Sequence, residues 1–114
     1  FGMSRYDGKY WKGYFDHDSG LASNFINFLR AEGPCAFVCS DNGFSSTNGT
    51  NWVTYKKNDK DGNGVAIVTT GGVKKEIPQS PSISHNFIIG CDGQGDYMWV
   101  ATSKGVSRGE KLKL

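Results

Sequence analysis

Short apolar stretches of about five residues, each closed by Gly, Asn, Asp or Ser, run the length of this chain and read as strands. Residues 25–29 form one such stretch, 35–39 a second, 43–47 a third that is largely polar and ends in Asn48-Gly49, and 51–55 a fourth. Further on, 65–69 and 73–77, divided by Gly71-Gly72, predict an added β-hairpin. Two stretches differ from the rest. Cys35-Ala36-Phe37-Val38-Cys39 and Tyr97-Met98-Trp99-Val100-Ala101 are apolar at successive positions. Successive strand residues point to opposite faces, so these two strands are expected to be covered on both sides.

The pattern repeats. Gly2, Ser4, Gly8, Trp11 and Tyr14 return 41 positions later as Gly43, Ser45, Gly49, Trp52 and Tyr55. A second correspondence, offset by 62, carries Asn24-Phe25-Ile26 to Asn86-Phe87-Ile88, Gly33 to Gly95, Phe37-Val38 to Trp99-Val100, Gly43 to Gly105 and Ser45 to Ser107 without a gap. Asp7-Gly8 and Asn48-Gly49 are expected to supply positive-φ turn residues and so to pair the third and fourth strands of each unit. Repeated four-stranded meanders whose inner strands are buried on both faces favour sheets packed radially over an open sandwich. The fold expected is therefore all-β: a partial β-propeller of four-stranded antiparallel blades with an inserted β-hairpin. Residues 1–20 are read as the end of a first blade, 21–57 as a second, 58–80 as the inserted hairpin and 81–114 as a third, incomplete blade. An insertion of this kind is expected on the loop face of the repeat, where binding specificity often resides.

Composition agrees with that reading. Sixteen Gly, three Trp, five Tyr and seven Phe favour strands and tight turns. A net charge of +2, from 13 basic and 11 acidic residues spread along the chain, marks out no nucleic-acid or membrane surface. No apolar run approaches the roughly 20 residues of a membrane-spanning helix. The start at Phe1-Gly2-Met3 has neither the charged nor the apolar region of a secretory signal and reads as internal. Three cysteines are an odd number. Cys35 and Cys39, four apart on one strand, are too distant to bridge each other, so buried free thiols are expected.

The residues Trp99-Val100-Ala101-Thr102-Ser103-Lys104-Gly105-Val106-Ser107-Arg108, with Gly2-Met3-Ser4-Arg5-Tyr6-Asp7-Gly8 and the Trp11 that follows, resemble the two-component regulator propeller repeat. The family pattern is an aromatic-apolar strand, a Thr, a short turn, Gly-Leu-Ser-Arg, a Gly turn and a Trp. The resemblance covers most of the chain but not the insertion from Asn58 to Ser80. The middle unit also departs from it, with Cys39-Ser40 where the third has Ala101-Thr102 and Ser46-Thr47 where the first has Arg5-Tyr6. The resemblance implies an exported bacterial binding module, periplasmic or extracellular, of the kind that forms sensor propellers.

Asp59-Lys60-Asp61-Gly62-Asn63-Gly64 matches the first half of a calcium loop, with oxygen ligands at alternate positions and a Gly for the sharp turn. Asp59, Asp61 and Asn63 are the candidate ligands. Thr70 stands where an EF-hand would place its bidentate Glu, and the alternative is a solvated turn. Trp11, Trp52 and Trp99 could be stacking platforms, but Trp11 and Trp52 fall at equivalent repeat positions and Trp99 at that of Phe37, which favours packing. His17 between Asp16 and Asp18, and His85 beside Asn86, read as solvated or locally bonded imidazoles. Asn48-Gly49-Thr50, formally a glycosylation sequon, is explained by turn chemistry. The basic tail from Gly109 to Leu114 is read as free or docked along an edge strand.

Neither an HExxH string nor a phosphate-cradling glycine loop occurs, so no catalytic residue is proposed. Two strands in the first unit, four in the second, three in the third and two in the insertion fall short of the four or more blades, at about four strands each, of a propeller ring. The expected role is a non-catalytic binding module whose ring is completed by the rest of a propeller on another chain or by further copies. A self-assembling propeller with repeated, lectin-like ligand sites is the first alternative, and a propeller-type lyase or hydrolase the second.

Overall fold

Strand propensity, alternation and glycine turns resolve into eleven antiparallel strands without a helix in the computed structural model, which describes residues 1–111. β1 (Met3–Tyr6) and β2 (Trp11–Tyr14) make a two-stranded first sheet. The middle sheet is a six-stranded meander of β3 (Ile26–Glu32), β4 (Cys35–Ser40), β5 (Gly43–Thr47), β6 (Trp52–Lys57), β7 (Gly64–Thr70) and β8 (Val73–Gln79). β9 (Ile88–Gln94), β10 (Tyr97–Thr102) and β11 (Gly105–Glu110) form a three-stranded third sheet with β10 at its centre. Of the basic tail, Gly109 and Glu110 end β11. The Lys111 ammonium donates to Glu32 Oε1 at 2.6 Å and to the Gly95 carbonyl at 2.9 Å. Leu112, Lys113 and Leu114 lie outside the described residues.

The doubly apolar strand β4 has the two-sided cover that its sequence demands. Val38 packs with Tyr14, Leu21 and Trp52, between the middle and first sheets. Phe37 and Cys39, pointing the other way, pack with Phe44, Ile88, Met98 and Val100, between the middle and third sheets. Three layers are thus held by two apolar seams. Burying one such side chain stabilises the fold by roughly 1.5–3 kcal/mol.

Two expectations need correction. Asp7 and Asn48 do not take positive φ; only Gly8 and Gly49 do. The loops between β1 and β2 and between β5 and β6 each hold four residues. In the first, Asp7 Oδ1 accepts from the Lys9 and Tyr10 amides at 2.8 and 2.7 Å. In the second, Asn48 Oδ1 accepts from the Thr50 and Asn51 amides at 3.0 and 2.8 Å. The side chain closes the turn, so the backbone need not adopt the two-residue hairpin conformation. These two amide bonds also hold the Asp7 carboxyl below the usual carboxylate range. The inserted hairpin, for its part, does not stand off as a loop. β7 pairs with β6 from Trp52↔Thr69 to Lys57↔Gly64, so the insertion widens the middle sheet.

Polar bonds recur at the two sequence offsets. The Asn24 side chain accepts from the Asp16 amide at 2.8 Å, and Asn86 accepts from the Lys57 amide at 2.7 Å. The Ser40 hydroxyl donates to the Gly43 carbonyl and the Thr102 hydroxyl to the Gly105 carbonyl, at 2.8 and 2.9 Å. The Ala22 amide donates to Ser45 Oγ at 3.1 Å and the Ser84 amide to Ser107 Oγ at 2.9 Å. In the middle sheet this last bond begins a buried relay. Thr54 Oγ1 lies 2.8 Å from Ser45 Oγ and donates to the Gly20 carbonyl at 2.6 Å, so the Ser45 hydroxyl must donate to Thr54. The loop at 20–22 is tied to β5 and β6 by that chain of hydroxyls. Gly20 is required there, because a Cβ would stand 2.1 Å from that of Trp52.

Thr54→Val keeps the shape but leaves the Ser45 hydroxyl and the Gly20 carbonyl unpaired in a buried site. A loss of about 1–3 kcal/mol is expected. Urea unfolding measures it, as a lowered midpoint at unchanged slope.

Candidate binding surfaces

The first and third sheets each bury one face on the middle sheet and turn the other outward. On the first sheet Met3 and Tyr14 point inward, while Tyr6 and Trp11, paired across β1 and β2, point outward with ring centroids 4.9 Å apart. On the third, Met98 and Val100 point inward, and Tyr97, Trp99 and Val106 are exposed on the other face. The Arg108 guanidinium lies over the Tyr97 ring at 4.5 Å and the Trp99 ring at 5.8 Å. The Trp99 indole donates to Gln94 Oε1 at 2.9 Å. The outer face is a flat aromatic platform with a cation stacked on it.

Comparison of equivalent positions shows what sets these faces apart. Trp52 is 2% exposed and Trp11, 41 residues earlier, is 72% exposed. Phe37 is 7% exposed against 40% for Trp99, and Phe44 is 5% exposed against 64% for Val106. The same repeat position is buried where a neighbouring sheet covers it and open where none does. The sequence reading of the three tryptophans as packing residues therefore describes Trp52. Trp11 is open to solvent, and Trp99 is half-exposed.

A cleft of about 280 Å³ lies between the widened middle sheet and the outer edge of β11, the edge strand of the third sheet among the described residues. Phe44, Tyr55, Val65, Ile83, Met98 and Val100 make it apolar, and Lys56, Arg108 and Glu110 stand among its lining residues. Tyr14 is capped by Trp52 at a centroid distance of 5.7 Å, whereas its equivalent Tyr55 opens to this cleft. Burial, with Lys74 adding to it and Asp16 opposing, holds the Lys56 ammonium below the usual lysine range. The cleft was not read from the sequence. Among the described residues Tyr55 stacks with Phe44 of its own sheet, at a centroid distance of 6.2 Å, and with no ring from the third sheet.

The calcium-loop candidates lie between β6 and β7. Asp59 and Asp61 are exposed, and Asp61 Oδ1 accepts from the Asn63 amide at 2.9 Å. The Asn58 amide donates to the Asn63 carbonyl at 2.7 Å, and the Gly62 amide to the Asn58 carbonyl at 2.9 Å, so the loop closes by its own bonds. Among the described residues no three His, Cys, Asp or Glu side chains come together as a metal site would need. His17 is exposed beside Asp18. His85 Nδ1 accepts from the Phe87 amide at 3.0 Å and lies 2.9 Å from Ser103 Oγ. Cys35, Cys39 and Cys91 are free thiols.

Burial pushes the Tyr55 phenol up from 10.0 to about 12. Folding favours the neutral phenol, so its contribution to stability is complete below pH 10 and is lost as the pH rises through about 12. Alkaline titration followed by tyrosinate absorbance is expected to show one of the five tyrosines ionising late, close to the onset of unfolding. Tyr55→Phe is expected to move that onset to higher pH.

In comparisons with known proteins, no protein-family model, curated protein or solved structure matches this chain.

Proposed function

We propose that this chain is a non-catalytic interaction module, a part of a β-propeller whose ring is completed by further sheets of the same kind, supplied by other copies or by another polypeptide. The observation that carries this reading is the contrast between Trp52, Phe37 and Phe44, buried inside the stack, and Trp11, Trp99 and Val106, exposed at its two ends. Apolar groups at equivalent positions are suited to equivalent neighbours. The cleft beside β11 supports the same reading, because β11 is the edge strand of the third sheet among the described residues, and a fourth strand beside it could place an aromatic ring on Tyr55 as Trp52 sits on Tyr14. The resemblance to the two-component regulator propeller repeat supports a bacterial periplasmic or extracellular setting and a sensing role for the completed ring. Repeated lectin-like sites are the variant of this reading in which copies alone close the ring.

Light scattering on the purified chain over a wide concentration range tests it. A defined small oligomer is expected. Trp11→Glu and Trp99→Glu, one on each end face, are each expected to weaken association by about 2 kcal/mol or more, roughly thirtyfold in Kd. Far-UV circular dichroism should be unchanged, because neither side chain is part of an internal seam. A wild-type chain that stays monomeric at every concentration and binds no apolar dye would sink the reading.

A further inference from the structure

The seam between the middle and third sheets holds a feature that interaction through the end faces does not use. Cys39 alternates with Val38 on β4, points toward the third sheet and is wholly buried. Cys91 is opposite Val100 on β9 and so shares the face that packs on the middle sheet. It is only half-buried. The two residues belong to one cluster with Phe37, Ile88 and Met98.

The sheets come close at this point. β9 runs with Cα atoms within 8 Å of β3 and β4, nearer than the roughly 10 Å of sheets packed face to face. The register of the seam is fixed on the β3 side. The Asn27 side-chain Nδ2 donates to the Ile88 carbonyl at 2.9 Å, and Arg30 Nε lies 3.3 Å from Asp92 Oδ1. In this arrangement Cys39 and Cys91 face one another within one apolar cluster, close enough for each thiol to shift the ionisation of the other. Cys35 is on the same face of β4 but about 13 Å along the strand from Cys39.

We propose that Cys39 and Cys91 are a redox-active pair that closes to a disulfide, stapling the middle sheet to the third, by exchange with a disulfide of the glutathione class. The roles of the two thiols differ. The neighbouring Cys39 thiol, assisted by Arg30, holds Cys91 below the ordinary thiol range against burial and Asp92. Cys91 in turn, together with burial, pushes Cys39 up. Cys91, half-exposed, is therefore the thiol that deprotonates and attacks. Its thiolate takes one sulfur of oxidised glutathione and expels the other as glutathione thiolate. Cys39 then gives up its proton and attacks Cys91 Sγ, and the second glutathione leaves. Two thiols are oxidised to one disulfide, and one disulfide is reduced to two thiols, so electrons and protons balance.

The test is equilibration of the folded chain in glutathione buffers of graded redox poise, followed by acid quench, alkylation and intact mass. Alkylatable thiols are expected to fall from three to one, with a non-reducing peptide map joining the Cys39 and Cys91 peptides. Cys35→Ser is expected to keep that link. Cys91→Ser, at a half-exposed position where folding is least at risk, is expected to abolish it while circular dichroism stays native. The linked chain should melt higher than the reduced one and return on addition of reductant. The proposal is overturned if all three thiols stay alkylatable in oxidised glutathione, if Cys91 stops at the mixed disulfide, if the link joins Cys35, or if it forms only after denaturant is added.

Discussion

Strand β4 sends Val38 to one side of its sheet and Phe37 and Cys39 to the other, and neither side can be left in water. That single strand requires a layer above and a layer below. Tyr14, Leu21 and Trp52 meet the demand on one face, and Ile88, Met98 and Val100 on the other. The first and third sheets are held in place because β4 needs both. They inherit the same problem at their outer faces, where Trp11 and Trp99 repeat positions that are buried within the stack.

The apolar seams provide adhesion, and the polar bonds provide spacing. Side-chain amides at Asn24 and Asn86, and hydroxyls at Ser40, Ser45, Thr102 and Ser107, recur at equivalent points and clamp each loop to the next strand. These groups are short and directional. They fix how far one unit sits from the next far better than an aromatic contact could, since hydrophobic contact is non-directional. The buried relay from Ala22 through Ser45 and Thr54 to Gly20 is the most enclosed of them.

Much of this architecture was legible in the sequence, for identifiable reasons. Period-two alternation and positive-φ glycines are local signals, so the strands and most turns lie where alternation placed them. The two offsets were legible because Gly, Trp and Asn mark positions where the backbone or a clamp admits few substitutes. What could not be read depends on the packing of one sheet on another. Trp11, Trp52 and Trp99 look alike in sequence and differ in exposure because only Trp52 is fully covered from a neighbouring sheet. The cleft at Tyr55 and the meeting of Cys39 with Cys91 are likewise properties of facing sheets. The Asp7 and Asn48 turns were misassigned for a local reason: the sequence pair is the same whether the backbone turns left-handed or the side chain bonds ahead.

The inserted hairpin widens the middle sheet until it ends at β8, whose outer edge is composed differently from the sheet's interior. Lys74, Lys75 and Glu76 place charge along that edge, and Pro78, lacking an amide hydrogen, interrupts the row of donors that another strand would need. Growth by strand addition, the route to fibrils, is therefore blocked at β8. The end faces carrying Trp11 and Trp99 remain open to stacking. At β8 the molecule is thus closed to growth strand upon strand, while its two end faces leave it suited to growth layer upon layer.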